Sequence, residues 1–446
     1  MFFRTEQDSI GDISLPYEAV YGAQTQRALN LYPTQRQKTL GTYPRLVCSL
    51  LKVKAASAKA NASIGMLEVE LADKIAATCL SLCEKFQPEL FPVHYFHGGG
   101  GISTNMNINE VVANQVNQRY YHTRFGSYEP VHPNDHINLN HSTSDSLQTA
   151  CHIAVIETLH ELDSALWQVE EQFSMLISQH QCDKKLARTC LQDAVVINFA
   201  DYWSGLKSSI NQYRTQFLSS MDQLHAINMG GNIIGRSGDC HPEFPSVCLQ
   251  ELNVLFDGGY TLHTNFFQCS QSFDSLALLS GYIESLCGAL IRIGQDIRLM
   301  ASGPQTGFSE IRLPSVQSGS SAMPGKINPT IPEFLIQSAM QANGHCSTVK
   351  LAHTHGELDY SPWGMLVTTN LIDAITLLVD GVKVFNQHCL QGVCLNQEKN
   401  EANINSLIPV VVELKKKFGY QKTSELIKHY NGDIMVLQGL LNLESI

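Results

Sequence analysis

The chain has 446 residues, 43% of them hydrophobic, enough for a large core and for two or three domains. A formal charge of −11 offers no attraction to nucleic acid or to an anionic membrane, although locally placed cations can still bind small anions. Thirteen cysteines, an odd number with no CxxC pair, favour reduced thiols in a cytoplasmic protein over a disulfide framework.

The N-terminal MFFRTEQDSIGD lacks the apolar core of a signal peptide, and no uncharged apolar run reaches the length of a membrane span. Cys79 and Cys83, four apart, share a helical face as small core residues. Two islands of small polar residues follow, HGGGGISTNMNINE (97–110) and HPNDHINLNHSTSD (132–145), each beside a helix start. From residue 134 to 204 there is neither glycine nor proline. Val155, Ile156, Leu159, Leu162, Leu166, Val169, Phe173, Leu176 and Ile177 step by threes and fours, which predicts one very long helix plus a second segment. The same period recurs through Leu276, Leu279, Ile283, Leu286 and Leu290, and a third region is TTNLIDAITLLVDGVKVFNQHC. No sustained period-2 alternation is evident. The expected fold is all-α: an N-terminal domain over 1–139, a central bundle of long antiparallel helices over 140–395, and a small helical domain over 396–446. In HTHGELD, His353, His355 and Glu357 read as polar loop residues, since HExxH and zinc-type Cys/His spacings are missing; no metal is expected.

The third island, QSGSSAMPGKINPTIPE (317–333), is not a phosphate loop. Five residues separate Gly319 from Gly325, and Ile327 follows the lysine where a magnesium-binding hydroxyl is needed. Asn328-Pro329 predicts a helix start with Asn328 as N-cap, Pro329 at the first helical position and Glu333 in the first turn. Lys326, an asparagine amide and free backbone N–H groups together suit a carboxylate or phosphate. Ser142, Thr143 and Ser144 add donors, so the residues describe a small polyanion pocket, with a dicarboxylate as the leading candidate.

GSSAMPGKINP is similar to the GSSxMPxKxNP signature of the aspartase/fumarase superfamily. DSIGDISLPYEAVYGAQTQRAL, STNMNINEVVAN, HPNDHIN, ARTCLQDA, GG followed by HPEF, and FGYQKTSELIK also resemble family segments, in family order. The resemblance implies a homotetramer whose helices form a common core, with each active site assembled from three subunits. It implies reversible elimination across a succinyl skeleton to give fumarate, with no cofactor. Carried over residue by residue, Ser320 is the general base. Lys326 and Asn328 hold one carboxylate, and Ser142, Thr143 and Ser321 the other. Asn105 joins the substrate-binding set, Thr189 faces the leaving group, and Glu333 supports the loop.

The departures from the family pattern fall in the pocket. Cys190 stands where fumarases carry histidine and aspartases can carry glutamine, and Ser144 replaces an asparagine associated with the leaving group. Ile102 replaces a threonine hydroxyl, Gln305 an arginine, and Arg236 and Asp239 stand where threonine and asparagine are usual. Hydroxide leaves only with help from a general acid, and a thiol is a poor stand-in for imidazole; ammonia needs no such donor. Aspartate ammonia-lyase activity is therefore the leading expectation. The alternatives are elimination from an N-substituted or modified aspartate, fumarate hydration, and non-catalytic dicarboxylate binding.

Overall fold

The structure, a computed structural model, describes residues 2–236 and 238–442. It is all-α in character, and among the described residues the strands pair in two-stranded sheets. Five long helices carry the fold: Thr143–Gln179, Phe199–Leu224, Asp274–Met300, Thr330–His353 and Gly364–His388. The apolar positions at threes and fours are the ones that leave solvent. Leu159, Leu162, Leu166 and Phe173 of the first, and Leu276, Leu279, Ile283 and Leu286 of the third, are essentially inaccessible. Asp274–Met300 and Gly364–Gly392 are long and apolar enough to cross a membrane, but half or more of each apolar window is buried inside the protein, as bundle-core helices require.

The glycine- and proline-free stretch is not helix throughout. After Gln179 the chain forms an antiparallel hairpin, Lys184–Thr189 with Gln192–Asn198, before helix resumes at Phe199. The run Val195, Val196, Ile197 has the β-branched chemistry of a strand. Its turn is Cys190-Leu191, with φ of 52° and 59°, a conformation usually signalled by Asn-Gly. The sequence carries no such signal, so the hairpin escapes notice.

By contact the described residues group into two compact units. One holds residues up to Leu162 with Gln216–Glu284 and Gln341–Thr376; the other holds Asp163–Thr215, Ser285–Met340 and the chain from Leu377 on. Every boundary falls inside a long helix, and the first unit takes the N-terminal part of the first, third and fifth helices but the C-terminal part of the second and fourth. The division into 1–139, 140–395 and 396–446 remains an expectation from sequence. Within the second unit, Leu407–Phe418, Tyr420–His429 and Ile434–Asn442 enclose a small core of Val410, Leu414 and Leu437.

Candidate active site

The expected site residues fall in two groups, one in each unit. In the first unit, Ser142, Thr143 and Ser144 start the longest helix. Asp145, fully buried, organises that start: Oδ1 accepts the N–H groups of Ser142 (2.8 Å) and Ser146 (2.9 Å), and Oδ2 accepts those of Gly230 (3.2 Å) and Asn232 (2.9 Å). Burial still outweighs these donors and raises the carboxyl to about 6. Ser142 Oγ donates to the Asn232 carbonyl (2.7 Å) and accepts the Ser144 N–H (3.1 Å). Gly101, at φ +97°, caps the Ile102–Tyr121 helix; a Cβ there would fall 2.1 Å from Leu147 Cδ2 and 3.7 Å from Thr143 Cγ2. Only glycine lets this loop approach the serine-rich helix start so closely.

Asn105, one turn into that helix, is buried and donates its amide to Thr143 Oγ1 (3.0 Å) and Asn138 Oδ1 (3.0 Å). Its orientation is set by a residue the sequence reading missed. Lys54, 0% exposed, places Nζ 2.7 Å from Asn105 Oδ1, 2.9 Å from Asn138 Oδ1 and 2.9 Å from His141 Nε2. His141 donates Nδ1–H to the Leu139 carbonyl (2.9 Å), leaving Nε2 as an acceptor. Burial and the Lys54 charge push the imidazole well below its ordinary pKa, while burial lowers Lys54 to about 7. The available signal was Lys54 itself, a lysine beside Leu50, Leu51, Ala55 and Ala58 on the buried side of its helix. Ile102 is 41% exposed, an apolar group where a hydroxyl was expected by resemblance.

In the second unit, Ser320 lies in a tight turn. Its Oγ accepts two backbone N–H groups, from Ala322 (3.1 Å) and Met323 (3.0 Å). Two converging N–H groups favour an oxyanion over a hydroxyl, the bias a serine base requires. The loop is closed by Gly319 N–H to the Lys326 carbonyl (2.9 Å) and by Asn328 Nδ2 to the Gly319 carbonyl (2.7 Å). This corrects the expected helix start. The Asn328 side chain closes the loop instead of capping the helix, and the helix begins at Thr330, one residue later than expected. One amide hydrogen of Asn328 remains for a ligand. Ser321 and Lys326 are exposed, and Lys326 has no polar partner among the described residues. Glu333 pairs with Arg298 (3.2 Å), on the helix that ends beside the loop. Arg298, Ser302, Pro304, Lys326 and Asn328 line an open cleft of about 530 Å³.

Thr189 and Cys190 are exposed at the hairpin tip, with Thr189 paired across to Gln192. The hairpin base is anchored by Glu310, inaccessible to solvent, which pairs with Arg188 and with Lys185 (3.0 Å). Arg236 is 69% exposed and pairs with Asp239 three residues on.

A serine whose Oγ accepts two N–H groups, an exposed lysine and an asparagine amide stand together on an all-α scaffold, the set expected of an elimination-type lyase. Comparison with known proteins agrees. A family profile described as Lyase matches residues 11–344. The class II fumarate hydratase of Nitrosomonas europaea is 31% identical over 98% of this chain and 94% of its own length. The aspartate ammonia-lyase of Helicobacter pylori is also 31% identical, over 95% of this chain and 90% of its own. A fumarate lyase:delta crystallin structure from Brucella melitensis superposes with a TM-score of 0.95 at 30% identity, covering 99% of this chain and 96% of that one. The chain belongs to the aspartase/fumarase superfamily and is a lyase. Relatives described as class II fumarate hydratases predominate, at 30–34% identity, beside one aspartate ammonia-lyase, so similarity alone does not settle the leaving group.

Proposed function

We propose that the protein eliminates ammonia from L-aspartate to give fumarate, as a cytoplasmic homotetramer with each site completed by three subunits. The observation that carries the choice of leaving group is Cys190, a thiol at the tip where hydroxide loss would need an imidazole-type acid. Ser320 Oγ, as the alkoxide favoured by the Ala322 and Met323 N–H groups, takes the proton from the carbon beside one carboxylate. The electron pair passes into that carboxylate as an aci-carboxylate. It returns to form the double bond as the carbon–nitrogen bond breaks and ammonia leaves. Ser320, now a hydroxyl, yields its proton to solvent before the next cycle. Lys326 and Asn328 hold one carboxylate and Thr143 and Ser321 the other; Ser142 and Asn105, whose donors are spent on Asn232, Thr143 and Asn138, order that second site, and Thr189 lies toward the leaving group.

Ile102 favours a second reading, an N-substituted aspartate whose added bulk meets an alkyl side chain in place of a hydroxyl. Both are tested by following fumarate absorbance with L-aspartate, N-substituted aspartates and L-malate. The expected result is fumarate from an amino substrate, with a loss of at least about 10²-fold in Ser320→Ala. Fumarate from malate alone refutes the leaving-group argument and makes the protein a hydratase. Dicarboxylate binding without turnover on any substrate refutes the catalytic reading.

A further inference from the structure

The helices Pro44–Ser63 and Val69–Glu84 form a hairpin joined by a short turn. Cys48 lies fifteen residues before the end of the first, and Cys83 fourteen after the start of the second, so antiparallel packing brings them level. Ala55 and Ala56 of the first helix and Ala72, Ala76 and Cys79 of the second are small and buried. Cys83 Sγ sits 3.7 Å from the Cys48 carbonyl oxygen, so the second cysteine lies against the first across the helix contact. Both are half-buried and free. Of the other cysteines, Cys182, Cys190 and Cys394 are exposed.

The surroundings make the pair unequal. Lys52, one helical turn after Cys48, is held 3.8 Å from Glu157 and 4.5 Å from the Phe256 ring centroid. The Cys83 S–H is the main influence lowering Cys48 below its ordinary pKa; the Lys52 charge adds to it, against burial and Glu157. Cys83 is shifted upward by donating to Cys48 and by burial. The Lys52 ammonium one turn away favours a thiolate at Cys48, with the Cys83 sulfur on the facing helix.

We propose that Cys48 and Cys83 are a redox-active dithiol, a modification site that reacts with small-molecule disulfides to close a reversible intrachain disulfide. The Cys48 thiolate attacks one sulfur of the small disulfide, forming a mixed disulfide and expelling one small thiolate. Cys83, losing its proton to solvent, attacks the Cys48 sulfur and expels the second thiolate. The protein loses two hydrogens and the small disulfide becomes two thiols, so atoms and electrons balance.

The test equilibrates the full-length protein in glutathione redox buffers, traps free thiols with N-ethylmaleimide, and maps non-reduced tryptic peptides by mass spectrometry. The expected product joins residues 46–52 to 75–85, with fragmentation placing the bond on Cys83 and not Cys79. It reverses with dithiothreitol and is absent from Cys48→Ser. In Cys83→Ser, Cys48 instead accumulates as its glutathione adduct, a result that a merely packed pair would not give. Recovery of Cys48 and Cys83 as maleimide adducts, in buffers that glutathionylate Cys182 and Cys394, overturns the proposal. So does a bond to Cys79, or a Cys83→Ser protein whose Cys48 stays unmodified.

Discussion

Lys54 illustrates how one buried charge can organise a site without entering it. An ammonium with no carboxylate at salt-bridge distance keeps its place through three acceptors, Asn105, Asn138 and His141. Holding Asn105 Oδ1 turns the amide N–H toward Thr143, which makes Lys54 a positioning residue for the proposed carboxylate site. Lys54→Met is expected to raise KM for the substrate at least tenfold with a smaller change in kcat. Equal loss in both would place Lys54 in the chemistry itself. The same residue gives stability a signed pH dependence. Its pKa falls from 10.5 in the unfolded chain to about 7 in the fold, so between these values the unfolded chain holds a proton that the native state has released. The cost of burying the ammonium is full below about 7 and fades toward 10.5. Wild type should therefore gain stability relative to Lys54→Met, by a few kcal/mol at most, as pH rises through that window. Urea denaturation at pH 7 and pH 9 measures it. Asp145, raised from 3.8 to about 6, titrates below the window and does not confuse the comparison.

At the level of elements, the hairpin and the serine loop place reactive groups by different devices. The hairpin tip holds Cys190 and Leu191 in the left-handed region, which costs non-glycine residues about 1 kcal/mol or more each. Leu191→Gly should raise stability by about 1 kcal/mol in urea denaturation; no gain would mean that the turn is relaxed in solution. The loop depends on close backbone approach. A Cβ at Gly319 would lie 2.6 Å from the Asn328 nitrogen and 2.7 Å from the Lys326 oxygen, both main-chain atoms that cannot step aside. Gly319→Ala should open the loop and lower kcat at least tenfold. Because the loop is exposed, the melting temperature should hardly move, and a large fall would show that the loop also supports the core.

In the whole molecule, stability is not uniform. The C-terminal core of Val410, Leu414 and Leu437 is small and has its own ring of apolar neighbours, Leu426, Ile427 and Tyr430 among them. Leu414→Ala should cost about 2–4 kcal/mol there, seen as faster amide exchange across residues 407–442 with the Thr143–Gln179 helix unchanged. Exchange that accelerates equally in both would make them one cooperative unit.

The sequence by itself determined the helical scaffold and the chemical character of the loop. Buried stripes at threes and fours leave few alternatives to long helices, and GSSAMPGKINP places serine, lysine and asparagine within nine residues of one another. Tertiary structure decided what depends on partners distant in the chain. Lys54 meets Asn105, Asn138 and His141 across 51 to 87 residues, and Cys48 meets Cys83 only because two helices fold back on each other. It also decided the hairpin, whose turn lacks glycine and asparagine, and the role of Asn328, whose amide bonds Gly319 nine residues earlier instead of capping its own helix. Local periodicity reports which face of an element is apolar. Which polar groups must meet is set by burial, because a donor or acceptor removed from water has to find its partner wherever the fold has brought one.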